Sequence, residues 1–188
     1  MEELIELDHK LFLYLNNLGS ETWDGMWIVI SDKWMAIPLY ALLLFLLFKK
    51  FDWKYSVVTM VCIALLITCT DQMSNVFKDF FMRPRPCRQE GVTEFARIIA
   101  ERCGKYGFYS AHASSTFALA FFLGSIFKKK IPSLIGYLLV WASLVAYSRI
   151  YLGVHYPGDI LIGAIFGILY GYLLYLLQQF AVKKLKLV

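Results

Sequence analysis

The chain has 188 residues, of which 59% are hydrophobic and only 18% charged, with a formal charge of +5 and four cysteines. That balance excludes a disordered chain, a disulfide scaffold and an ordinary soluble domain, in which about 25% of residues are charged. The positive charges lie between long apolar runs instead of on one polar face, so nucleic acid is not an expected partner, and residues 1–188 read as one membrane-embedded domain.

The first residues are acidic (Glu2, Glu3, Glu6, Asp8), and no short apolar core follows a basic region, so a cleavable signal peptide is not expected. Leu4 to Leu18 has the loose alternation of a helix lying in the membrane interface. Five apolar segments follow. Trp23 to Phe48 is 26 residues long and is interrupted by Ser31-Asp32-Lys33. As one helix it would reach ~39 Å and would have to tilt or protrude from a core of ~30 Å. Val57 to Phe77, Ala111 to Phe127, Pro132 to Tyr147 and Ile160 to Val182 are the others. The expected fold is all-α: a polytopic membrane helical bundle of about five transmembrane helices plus an N-terminal interfacial amphipathic segment.

Details within these segments carry further expectations. Asp71, Asn75 and Lys78 fall at i, i+4 and i+7, a polar stripe in which Asp71 and Asn75 would hold Lys78. Gly163, Gly167 and Gly171 recur every four residues as a small-residue face, expected to pack within a monomer more than across a dimer seam. Cys62 and Cys69 read as small apolar residues. Cys87 and Cys103 bracket the loop from Met82 to Tyr109; an oxidising compartment would permit a disulfide there, and spacing leaves the pairing open. Trp23, Trp27, Trp34 and Trp53 read as interfacial anchors, and His9 as a solvated side chain.

Strict alternation of the spans assigns each loop a side. The lysine clusters Lys49–Lys54, Lys128–Lys130 and Lys183–Lys186 give one side a net charge of +8, while the N-terminal side holds every arginine and sums to −3. Clean lysine clusters at span ends place the first side in the cytoplasm.

The other side holds three polar constellations at one depth: Lys78 through Arg85-Pro86; Ser110-Ala111-His112; and Ser148-Arg149 with His155 and Asp159. Converging permanent cations suit a polyanion, and Arg offers a planar fork for phosphate oxygens. Two histidines can divide phosphoryl transfer, one attacking phosphorus and one protonating the departing oxygen. A carboxylate four residues after a histidine can fix its ring through the other nitrogen.

These residues resemble the type 2 phosphatidic acid phosphatase superfamily, with motifs Lys-x6-Arg-Pro, Pro-Ser-Gly-His and Ser-Arg-x5-His-x3-Asp. The resemblance implies a hydrolase in which His155 is the nucleophile that forms a phosphohistidine and Asp159 orients it. His112 is then the general acid and, later, the base. Lys78, Arg85, Ser110, Arg149 and the Ala111 N–H bind phosphate, and no metal or other cofactor is required. Ser148 is expected to be structural, or at most a supporting residue. Tyr109 and Ala111 depart from the family's Pro and Gly; Ala is harmless there if a small residue suffices. Arg83 and Arg88 are runner-up ligands, for a second phosphate or a headgroup, or else plain solvated loop cations.

The implied substrate is a lipid phosphate, undecaprenyl diphosphate first, with lipid A or phosphatidylglycerophosphate as the alternative. Two readings of other classes remain: a metal enzyme using His112, His155 and Asp159 as a two-His, one-carboxylate site, and a small anion channel.

Overall fold

The computed structural model describes residues 2–187. Seven α-helices follow in order: α1 (Glu2–Asn17), α2 (Glu21–Ser31), α3 (Ile37–Lys50), α4 (Trp53–Phe81), α5 (Ala111–Phe127), α6 (Leu134–Tyr151) and α7 (Pro157–Lys184). The chain is an all-α polytopic bundle. α4, α6 and α7 are each long and apolar enough to cross a membrane. α5, with 17 residues, is shorter. It runs through the centre, packed by α4, α6 and α7, and most of its side chains are buried.

The expected single helix from Trp23 to Phe48 is instead broken, and the two halves bend by 64°. The cause is local. Asp32 is extended, and its carboxylate accepts the Trp34 N–H at 3.0 Å, which caps a 3₁₀ turn over Lys33–Ala36. Pro38 then occupies the first turn of α3, where its missing N–H costs nothing. A bend therefore resolves the excess length that tilt was expected to absorb.

The glycine face lies inside the monomer, as expected. A Cβ on Gly163 would stand 2.6 Å from the Ser110 carbonyl oxygen, and one on Gly171 would stand 2.7 Å from that of Ala118. α7 therefore lies directly on the backbone of α5, and the start of α5 is fixed relative to the start of α7.

α1 is bound on one face and free on the other. Phe12 and Asn16 are fully buried. The Asn16 amide donates to the carbonyls of Arg97, Ile150 and Tyr151 at 3.0 Å each and accepts the Arg97 N–H at 2.7 Å. Leu4, Leu7, Leu11, Tyr14 and Leu18 form an exposed apolar stripe on the opposite face, the pattern of a helix at the bilayer surface. Trp23, Trp34 and Trp53 are exposed, as interfacial anchors would be, whereas Trp27 packs inward against Tyr147 and Tyr151 with ring centroids at 5.0 and 5.2 Å. Cys87 and Cys103 are joined as a disulfide with Cα atoms 6.5 Å apart. Cys62 is buried and Cys69 exposed.

Candidate active site

The three constellations meet at one end of the bundle, where α4 and α6 finish and α5 and α7 begin. α7 starts on Pro157, and Asp159 sits in its first turn. From there the Asp159 carboxylate meets His155 Nδ1 at 3.0 Å and accepts the Tyr156 N–H at 3.2 Å through Oδ2. Both side chains are buried. Burial, before any other cause, pushes the His155 imidazole down to about 4; Asp159 opposes that shift, and the charges of Arg85 and Arg149 add to it. The ring is thus neutral near pH 7, and because Asp159 occupies Nδ1, Nε2 is the nitrogen left available.

His112 stands half-buried in the first turn of α5, within the fields of Arg149, His155, Lys78 and Arg85. Lys78, in the last turn of α4, feels the cations Arg85 and Arg149 and the carboxylates Asp71 and Asp159. The Arg149 fork donates through Nη1 to Ser31, while its Nε–H is buried with no partner among the described residues. A buried, unpaired guanidinium donor is costly unless an anion supplies the acceptor.

Arg85 arrives by a route the helical spacing does not describe. α4 stops at Phe81, and Met82 turns left-handed at φ 45°. Pro84 then pairs with Tyr106 in an isolated bridge, and the Gly107 N–H donates to the Arg83 carbonyl at 2.7 Å. Arg85 Nε donates to the Tyr106 carbonyl at 2.8 Å, leaving the rest of the fork for the pocket. A Cβ at Gly107 would stand 2.8 Å from Asp159 Oδ2, so this loop closes directly over the catalytic-type pair.

Ser110 caps α5, its Oγ accepting the Ala113 N–H at 3.3 Å, and the residue is fully buried. Ala111 opens the helix without the positive φ that would demand glycine, so its substitution for Gly costs no backbone strain. Tyr109, in place of Pro, is fully buried; its hydroxyl bonds Ser114 and its ring stacks on Phe77 with centroids at 5.3 Å. Phe108 before it is held left-handed at φ 66°, stacked on Phe81.

Several expectations need correction. Asp71 and Asn75 are exposed, and among the described residues no hydrogen bond or ion pair joins either to Lys78; the stripe lies along α4, but its side chains do not bridge. The Ser148 hydroxyl, by contrast, donates to the Val145 carbonyl at 2.6 Å within its own helix, in line with the structural part expected of it. Arg83 does not face the pocket as a spare ligand. It bonds Asp159 Oδ1 through Nη1 at 3.0 Å and Asp8 through Nη2 at 2.7 Å. Arg88 is exposed and donates to the Cys103 carbonyl at 3.1 Å. His9 is stacked on Tyr156 with centroids at 4.8 Å, not solvated. Asp159 spends both oxygens on these neighbours, and among the described residues no three His, Cys, Asp or Glu converge as metal ligands. Asp8, which no motif singles out, joins this cluster through Arg83. The available signal was that Asp8, Phe12 and Asn16 repeat at i, i+4 and i+8 on one face of α1.

A cavity of ~810 Å³ runs from this end into the bundle between α2–α3 and α4–α6. His112, Ala111, Ser31 and Asp71 line it beside apolar Leu43, Ile63, Leu119 and Trp141.

A membrane helical bundle that gathers fixed cations around a His–Asp pair and a second histidine defines an integral membrane hydrolase of phosphate esters. The PAP2 superfamily model matches residues 53–183, and the chain belongs to that superfamily as a membrane lipid phosphatase. It is 38% identical over 182 residues to the lipid A 4'-phosphatase of Bacteroides thetaiotaomicron, covering 95% of this chain and 80% of that protein. It is 34% identical to the protein of the same name from Porphyromonas gingivalis, covering 96% and 77%. The undecaprenyl-diphosphatase of Sulfolobus acidocaldarius is 28% identical over 88% of this chain and 76% of that protein. The crystal structure of Aquifex aeolicus LpxE superposes with a TM-score of 0.65 at 26% identity, over 88% of this chain and 92% of that one.

Proposed function

We propose that the protein removes a phosphate monoester from a lipid A-type glycolipid through a phosphohistidine at His155. The single observation that carries the mechanism is the buried His155–Asp159 pair at 3.0 Å, set among Lys78, Arg85 and Arg149 with His112 beside it. His155 Nε2 attacks phosphorus and forms the N–P bond. The P–O bond to the lipid breaks as His112 delivers a proton to the departing oxygen. A water deprotonated by His112 then cleaves the N–P bond and releases phosphate. Lys78, Arg85 and Arg149, with the Ser110 hydroxyl and the Ala111 N–H at the start of α5, hold the phosphoryl oxygens, and Arg149 Nε brings an unspent donor to that task. Each of these steps is assigned to the chain's own groups, the Ala111 backbone N–H among them, and to water.

The lipid is favoured because the apolar cavity ends on His112, so an acyl chain within the bundle would carry its headgroup phosphate to the acid. Lipid A is preferred to undecaprenyl diphosphate, the first expectation from the sequence, because the relatives that match over nearly the whole chain at higher identity bear the former name. The site faces away from the cytoplasm of a bacterial inner membrane, in keeping with lysine clusters at the opposite end and a disulfide in the loop above it.

The test is phosphate release by the purified protein in detergent with chelator, from lipid A, undecaprenyl diphosphate, phosphatidylglycerophosphate and phosphatidate. The highest kcat/KM is expected on lipid A, with H155A and H112A inactive. A preference for undecaprenyl diphosphate would reverse the substrate order, and an active H155A would overturn the mechanism.

A further inference from the structure

We infer that Asp8 and Arg83 are positioning residues for the His155–Asp159 pair, so that the N-terminal helix is a working part of the active site. The inference rests on the reading of His155 as nucleophile given above.

The connection is a chain of charged contacts. Asp8 Oδ2 meets Arg83 Nη2 at 2.7 Å, Arg83 Nη1 meets Asp159 Oδ1 at 3.0 Å, and Asp159 Oδ2 meets His155 Nδ1 at 3.0 Å. Each guanidinium branch has its own carboxylate, an arrangement that the point charge of a lysine does not reproduce. The other oxygen of Asp8 accepts the Gly158 N–H at 2.8 Å, in the first turn of the helix that carries Asp159. Asp8 therefore holds both the cation that faces Asp159 and the backbone that bears it.

Burial makes the links consequential. The Asp159 side chain is fully buried, with Arg83 and Asp8 largely so at 19% and 15% exposure. Without Arg83, Asp159 Oδ1 would be a buried carboxylate oxygen lacking its charged partner, and the carboxylate would turn to find another. The Arg83 guanidinium is also packed 4.0 Å from the Tyr156 ring centre, and His9 and Phe12 of α1 close on the same ring. Tyr156 lies between His155 and Asp159, so α1 covers the segment on which the pair is built. The pairing of Arg83 with two carboxylates also explains why it is unavailable for a second phosphate.

A strap that only stabilised the fold would act equally through Asn16, which anchors the same helix two turns away from the charged chain. That difference provides the control. Purified wild type, D8N, R83Q, D8N/R83Q, N16A and H155A are compared for kcat, KM and thermal melting on the preferred lipid phosphate in detergent. D8N is expected to lower kcat at least about tenfold and R83Q by ~10²-fold, as for a reactive group displaced by about 1 Å, with KM within about twofold. The double variant should be no slower than R83Q, because both act through one chain. N16A should lower the melting temperature with kcat retained. Wild-type kcat in D8N, or losses in D8N and N16A that both follow the melting temperature, would overturn the inference. If R83Q does not accumulate, R83K takes its place, and full activity in R83K would overturn it equally. An active H155A would instead defeat the underlying mechanism, whatever D8N does.

Discussion

Asp159 has two oxygens and three neighbours: the imidazole of His155, the Tyr156 N–H and the guanidinium of Arg83. With the ring fixed at Nδ1, the proposed mechanism assigns the attack to Nε2, whose protonation then controls it. Burial depresses the His155 pKa to about 4. The neutral ring therefore persists as pH falls past 6 and is protonated only near that lower value. In H9Q/H112Q, where His155 is the only one left of three histidines, its ¹⁵N shifts should report a neutral ring at pH 5.5; a midpoint near 6.5 would refute the burial argument. At Arg149, R149K should not restore phosphate release, because an ammonium cannot replace a fork that bonds Ser31 and still offers Nε. Contacts were legible in the sequence where they depend on spacing along one helix turn, as for His155 and Asp159. Those of Arg83 and Asp8 were not. Their meeting joins residues 75 positions apart and depends on how α1 lies across the start of α7.

At the scale of elements, the contact between α5 and α7 sets the distance between His112 and His155. Gly167 permits it: a Cβ there would come within 3.0 Å of the Ser114 backbone. G167V should lower stability by about 1–3 kcal/mol, as overpacking does, seen as a reduced melting temperature, and should reduce activity by separating the histidines. The loop that carries Arg85 is closed by Cys87 and Cys103, 16 residues apart. Reduction should therefore cost about 3 kcal/mol on the chain-entropy account, lowering the melting temperature and raising KM more than it lowers kcat. Hydropathy revealed the helices, and the glycine repeat revealed which face of α7 packs inward. The interruption at Ser31-Asp32-Lys33 was visible, but the 64° bend there was not. There the deciding features were the Asp32 side chain as a cap and Pro38 in the next turn, which mean hydropathy averages away. Lys78 and Arg85 stand seven residues apart, yet not on one helix face. The helix ends before Arg85, and a paired turn brings it back.

Across the whole molecule, charge and cavity point the same way. The lysine-rich end and the arginine-bearing end lie on opposite sides of the bundle, and the disulfide belongs to the latter. In a C62A/C69A background in whole cells, a cysteine placed by E94C should react with a membrane-impermeant maleimide and one placed by K129C should not; the reverse pattern would invert the orientation. Between these ends, the ~810 Å³ cavity leads from the apolar interior to His112. It was beyond the reach of the sequence because residues from five helices line it, on both sides of the bend between α2 and α3. The central claim is that phosphorus passes through His155. Rapid quench of wild type during turnover of ³²P-labelled lipid phosphate, followed by peptide mapping under alkaline conditions, tests it directly. The account predicts an acid-labile phosphohistidine on the peptide containing His155, absent in H155A. Label on another residue, or full turnover with no trapped label and an active H155A, would contradict it.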